Sequence, residues 1–129
     1  MLQPVIRDLA TGKNFGVLSF QLPSGQLASH VMWVDASDDQ LLINTEVHRA
    51  KYKAMQKNPD VAVMIWDLDN PYRYAEVRGR VIGEVRGDEA RDHIDKCSQR
   101  YLGHDYSAQI QSERVIVRIE PVRQLTRGL

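Results

Sequence analysis

Three cations stand where a helix would ordinarily avoid them. In the stretch NTEVHRAKYKAMQKNP, from Asn44 to Pro59, a strand end is followed by a predicted helix with Thr45 as its capping residue. Val47, Ala50, Ala54 and Met55 recur along one face of that helix, and Pro59 ends it, because the residue before a proline is pushed out of helical conformation. Arg49, Lys51 and Lys53 crowd its start. The helix macrodipole is positive at that end, so acidic residues are preferred there. An entrance rich in free N–H groups and flanked by cations suits a bound anion, most often a phosphate. The same charges also suit a solvated basic face on a surface helix, and charge alone does not choose between the two.

Other reactive residues form no comparable group. His30, His48, His93 and His104 are scattered, without the spacing of a metal-ligating motif, and no metal site is expected. Cys97 falls on the apolar stripe of a predicted helix, where cysteine behaves as a small hydrophobe. No Gly-x-Ser-x-Gly elbow, Gly-x-Gly-x-x-Gly turn or phosphate-binding Walker loop is present. No side chain stands out as catalytic, so an enzyme built on this chain would draw its chemistry from a cofactor.

The elements that must position the basic stretch are mostly strands. Pro4 to Ala10 is a short helix with an early proline, stopped by Gly12. Asn14 to Leu22 alternates, with Leu18, Phe20 and Leu22 on one face, and a Pro23–Gln26 turn leads into a second strand, Leu27 to Asp35. That strand is apolar on both faces, Leu27, Val31 and Trp33 on one and Ala28, Met32 and Val34 on the other, so both are expected to be covered. Leu41 to Asn44 and Val61 to Trp66 are the next two strands. Tyr72 to Arg86 then gives the clearest period-two signal, with Gly79 and Gly83 on its inward face, as in a strongly bent barrel strand. Glu89 to Leu102 is a helix with Ala90, Ile94, Cys97 and Tyr101 along one stripe, ended by Gly103. Glu113 to Glu120 is the last strand, which Pro121 is expected to close.

Six antiparallel strands joined mostly by tight turns, with flanking helices, predict a small β-barrel, which hides the edges that short strands would expose. The 129 residues form a single domain, 1–129, without repeats or linkers. Lysine and arginine balance aspartate and glutamate at 17 each, which argues against a nucleic-acid or anionic-membrane partner and makes any anion site local. One cysteine precludes an intrachain disulfide, and no run approaches a membrane span, so a soluble, cytoplasmic protein is expected.

The order of these parts also carries a resemblance. SHVMWV, INT, HRAKYKAMQKNP, VAVMIW and RYAEVRGRV, in that sequence, resemble the flavin split-barrel superfamily, which includes pyridoxine 5′-phosphate oxidase. Within it, HRAKYKAMQKNPDVAVMIWD with NPYRYAEVRGRV is most similar to the flavin/deazaflavin oxidoreductases that bind coenzyme F420, and the resemblance spans about residues 13 to 120. It implies a six-stranded antiparallel split β-barrel of the FMN-binding type, mainly β with flanking helices. The strand Ser29, His30, Val31, Met32 and Trp33 would lie along the cofactor ring. Asn44 and Thr45 would stand beside the phosphate and ribityl chain, Arg49 and Lys51 would grip the phosphate, and Ala50 would offer its backbone N–H. Tyr74 would meet a ring, often that of a second subunit, because such barrels are homodimers with cofactor sites at the interface. The implied activity is hydride transfer between reduced coenzyme F420 and a small conjugated substrate. FMN in the same groove, or non-catalytic binding of the deazaflavin or haem, are the alternatives. The sequence stops nine residues after Glu120, short of the extended C-terminal substrate-binding segment of pyridoxine 5′-phosphate oxidase, so a vitamin B6 role is not expected.

Overall fold

The computed structural model describes residues 1–129, and its centre is one curled antiparallel sheet. In chain order the elements are α1 (Pro4–Thr11), β1 (Phe15–Gln21), β2 (Leu27–Trp33), β3 (Asp35–Ala36), β4 (Leu41–Glu46), α2 (Ala50–Lys57), β5 (Asp60–Asp67), β6 (Asn70–Arg86), α3 (Asp88–Leu102) and β7 (Arg114–Arg127). The strands lie in the order β2-β1-β5-β6-β7-β4-β3, giving a split barrel. The seventh strand, beyond the six expected, is the two-residue β3, separated from β2 at Val34.

Alternation builds the core. Leu18 and Phe20 of β1, Val63 and Ile65 of β5, Ala75 and Val77 of β6 and Val115, Val117 and Ile119 of β7 all face inward and are buried. They pack with Leu41 and Ile43 of β4, Ile6 and Leu9 of α1, and Tyr52 and Met55 of α2. On α3 the stripe Ala90, Ile94, Cys97 and Tyr101 is buried as its spacing predicts, and Gly103 closes the helix in the left-handed conformation, with φ 81°. The other face of the sheet is less covered. In register across it stand Val31, Val17 and Met64, from three neighbouring strands, and Val31 is 66% exposed.

Two boundaries differ from the sequence expectation. Pro121 does not close the last strand, which runs on to Arg127. The ladder steps out of register here: Gly79 faces Pro121, Arg78 faces Arg123, and Val122 is skipped. Such a bulge tolerates a residue without an N–H. Gly79 makes it possible, since a Cβ there would lie 2.6 Å from the Glu120 carbonyl oxygen. The extended end is also used, because Gln124 accepts from the Gln3 amide at 2.8 Å and donates to the Met1 carbonyl at 2.9 Å.

The second difference concerns Thr45. It does not cap α2; it belongs to β4, which pairs with β7 as far as Glu46 opposite Arg114. The sheet ladder thus claims the backbone that a cap would need. The cap position falls to Arg49, which makes no side-chain capping bond, and the first turn of α2 contains no acidic residue. The Lys53 N–H bonds to the Arg49 carbonyl at 3.2 Å, leaving the earlier amides of the turn without intrahelical acceptors.

Candidate functional site

The two ends of the strand order approach without pairing, and a cleft of ≈ 270 Å³ opens between them. One wall is Val31 to Val34 with Phe15; the other is Leu42 and Asn44 of β4 with Ile94 and Cys97 of α3. Arg49, Lys51, Tyr106 and Arg114 complete the lining. Its apolar side is held by aromatic contacts: Trp33 stacks on Tyr101 with ring centres 5.1 Å apart, and Tyr106 stands edge-on to Trp33 at 6.1 Å.

The polar side is a compact charge cluster. Glu46 is 1% exposed, and its Oε1 accepts the backbone N–H groups of Gln111 at 2.7 Å and Ser112 at 2.9 Å. Its Oε2 lies 3.2 Å from Arg49 Nη2 and 3.5 Å from Arg114 Nη1. Burial works against this carboxylate, but the two amides and the two guanidiniums outweigh it and hold its pKa below the ordinary value. Lys51 is only 8% exposed and pairs with no acidic side chain. Burial first, and then the charges of Arg49 and Arg114, lower its pKa. Arg114 is 5% exposed, and burial and Arg49 likewise work against its charge. Arg49 and Arg114 therefore share one carboxylate while Lys51 has none, a surplus that a bound anion would relieve.

Asn44 anchors this cluster to α3. Its Oδ1 accepts from Arg114 Nε at 2.9 Å, while its Nδ2 donates to the Ala90 carbonyl at 2.8 Å and to His93 Nδ1 at 3.0 Å. Arginine can only donate and a carbonyl can only accept, so the amide orientation is fixed from both sides. Behind it, His93 Nε2 lies 2.9 Å from Asp35 Oδ2, and Arg100 Nη2 is 2.6 Å from Asp35 Oδ1. Burial disfavours the charged ring, yet the hydrogen bond to Asp35 and the contact with Cys97 raise His93 to about 9. The Asn44 hydrogen bond pulls the other way, because it needs Nδ1 bare. Asp35, His93 and Cys97 bring metal-ligand atoms within 4.8 Å of one another. Arg100 already neutralises Asp35, and the Lys96 ammonium lies 3.6 Å from its second oxygen, so the cluster carries its own charge compensation.

Of the residues singled out in the sequence, Val31, Met32, Trp33, Asn44, Arg49 and Lys51 line this one cleft. Ser29 and His30 lie further along β2, Ser29 bonded to Ser19 at 3.0 Å and His30 edge-on to Phe20 at 5.1 Å. Thr45 is fully buried on the inner side of β4, with no hydrogen-bond partner for its hydroxyl. Ala50 is exposed at the first position of α2, and Tyr74 is half-buried on β6, outside the cleft of its own chain. Sequence reasoning missed Glu46, Tyr106 and Arg114. Arg114 reads as the solvated neighbour of an alternating strand, and only its pairing with Glu46 reveals it.

A charged, aromatic-walled cleft thus lies at the seam of a split barrel. The sequence profile of the Pyridoxamine 5′-phosphate oxidase family matches residues 2–127, and the chain belongs to that family, whose members bind flavin or deazaflavin. Among solved structures it is similar to an F420 reductase, at 28% identity and TM-score 0.82 over 96% of this chain and 98% of that one. It also shares its fold with a conserved hypothetical protein from Mycobacterium tuberculosis (24% identity, TM-score 0.77, 98% of this chain and 84% of that one). The General Stress Protein 26 from Bacillus anthracis has the same fold (20% identity, TM-score 0.71, 95% and 90% covered). No curated protein matches the chain. No helix is long and apolar enough to cross a membrane.

Proposed function

We propose that this chain is a coenzyme F420-dependent oxidoreductase, acting on a small conjugated organic substrate. The observation that carries the reading is the cleft itself, with an unbalanced cationic end at Arg49 and Lys51 and an apolar end at Val31 and Trp33. The similarity to an F420 reductase favours the deazaflavin over FMN. The donor set fits a phosphorylated cofactor. Lys51 is a buried ammonium without an acidic partner, and the uncapped amides of α2 face no intrahelical acceptor. When bound, the deazaflavin supplies the hydride chemistry that no side chain here provides. The chain's part is to hold the phosphate at Arg49, Lys51 and the Ala50 amide, and to lay the ring along Ser29–Trp33, where Val31 and Trp33 exclude water.

At ≈ 270 Å³ the cleft is smaller than the roughly 300–1,000 Å³ of sites that enclose a ligand of flavin size. Part of the ring then lies on the open sheet face beside Val31, which suits a site completed by a second subunit of a homodimer. Tyr74 of that second copy is the residue expected to close it.

Titrating the purified chain with coenzyme F420 and with FMN, followed by fluorescence, tests the assignment. Tight deazaflavin binding with weak FMN binding is expected, and the reverse order overturns it in favour of an FMN enzyme. Reduced coenzyme F420 that binds but is never oxidised by a broad panel of conjugated acceptors would favour a non-catalytic carrier.

A further inference from the structure

We propose that Arg114 is a third ligand for the anion of this cleft, and that with Arg49 and Lys51 it fits the site to a group bearing two negative charges. The inference rests on the anion-binding part of the function proposed above, not on the identity of the cofactor.

Arg114 is an unusual residue for the first position of a strand. It is 5% exposed, yet it lines the cleft, and its Nη1 is buried without a hydrogen-bond partner. Its ion pair with Glu46, at 3.5 Å, is too long to serve as a hydrogen bond. Arginine stays charged under all ordinary conditions, so the cost of burying it must be met by an anion. Glu46 supplies only part of that, since it is shared with Arg49.

The guanidinium is also held in place before any ligand arrives. Asn44 fixes Nε at 2.9 Å, and the Tyr106 ring lies beneath, 5.2 Å from the guanidinium carbon. Asn44 is in turn tied to Ala90 and His93 of α3. A planar fork fixed by two neighbours binds an oxyanion without losing side-chain freedom. Asn44 acts here as a positioning residue, since both ends of its amide are engaged within the protein.

The charge count sets the class of ligand. Glu46 is shared by Arg49 and Arg114, and Lys51 has no acidic partner, so two of the three positive charges remain unmatched. A phosphomonoester dianion, or a phosphodiester with a neighbouring carboxylate, balances the cluster. A lone phosphodiester leaves one charge over.

The test uses the apo protein, with thermal shift and equilibrium binding as readouts. Inorganic phosphate is expected to raise the melting temperature of the wild type more than dimethyl phosphate at equal concentration and ionic strength. Arg114→Gln is expected to weaken binding of whichever flavin is taken up at least tenfold and to erase the advantage of phosphate over dimethyl phosphate. Arg114→Lys, which keeps the charge and loses the fork, should fall between the two and guards against a glutamine variant that does not fold. Folded Arg114 variants with wild-type flavin affinity overturn the inference, as does a wild type that phosphate and dimethyl phosphate stabilise equally. If phosphate protects through Arg114 but neither flavin binds, this inference stands and the proposed function fails.

Discussion

Replacing Lys51 with methionine should move stability and binding in opposite directions. Methionine keeps the unbranched stem that packs in place of lysine and leaves no large cavity. In the apo protein it removes an ammonium that is 8% exposed, unpaired, and opposed by Arg49 and Arg114. Relief of that burial and repulsion is of order 1–2 kcal/mol. For a domain of this size the gain appears as a rise of roughly 3–8 °C in melting temperature. If Lys51 holds the cofactor phosphate as proposed, the same change deletes a charge-assisted hydrogen bond worth about 1.5–3 kcal/mol, or about 10- to 150-fold in Kd. Chemical denaturation of the apo protein and a flavin titration measure the two effects separately. The pH dependence sharpens the test. Lys51 has a lowered pKa in the folded chain, so between that value and its ordinary 10.5 the unfolded chain binds the extra proton and apo stability rises with pH. Lys51→Met should abolish that contribution. A destabilised apo variant, or one that binds flavin like the wild type, would refute the account of this cleft as a strained cation cluster awaiting an anion.

Other perturbations probe the frame around the site. Asp35→Asn leaves Arg100 and His93 without their carboxylate and should cost about 3–5 kcal/mol near neutral pH. Burial opposes the charge of Asp35, but His93 and Arg100 outweigh it and set its pKa well below the ordinary 3.8. Its contribution is therefore present above about pH 4 and lost as pH falls, so the gap between wild type and variant in urea should narrow from about pH 5 towards pH 2. Gly79→Ala should cost about 1–3 kcal/mol because its new methyl meets the Glu120 carbonyl oxygen at 2.6 Å, a backbone atom that cannot step aside. Gly83→Ala meets only the end of the flexible Arg118 side chain, and thermal melts should show it within about 0.5 kcal/mol of wild type. Met64→Glu, at one end of the open apolar stripe with Val17 and Val31, should shift a dimer towards monomer in light scattering while leaving the monomer folded. A dimer that persists unchanged places the interface elsewhere.

Much of the fold is legible because burial repeats with the period of each element. The α3 stripe from Ala90 to Tyr101 and the alternation of Ala75, Val77 and Gly79 in β6 point the same way in sequence and in space. Arg49 and Lys51 are legible as candidate anion ligands for a local reason as well, since two cations at the start of a helix conflict with its dipole wherever the helix packs.

Other features depend on pairing between distant strands. That Pro121 sits inside a strand follows from its meeting Gly79 at a bulge, and a proline seen alone argues for an end. Thr45 is drawn from capping into the sheet because β4 still has β7 beside it. The cleft shows the division most sharply. The sequence by itself determined that cations crowd the start of α2, against the helix dipole. Only the tertiary structure decided that Glu46 and Arg114 stand opposite each other, and that Asn44 holds Arg114 by a bond reaching across to β7. Charge acts through space and across the chain's turns, so a residue's partners are set by the register of its strand and not by its neighbours in sequence.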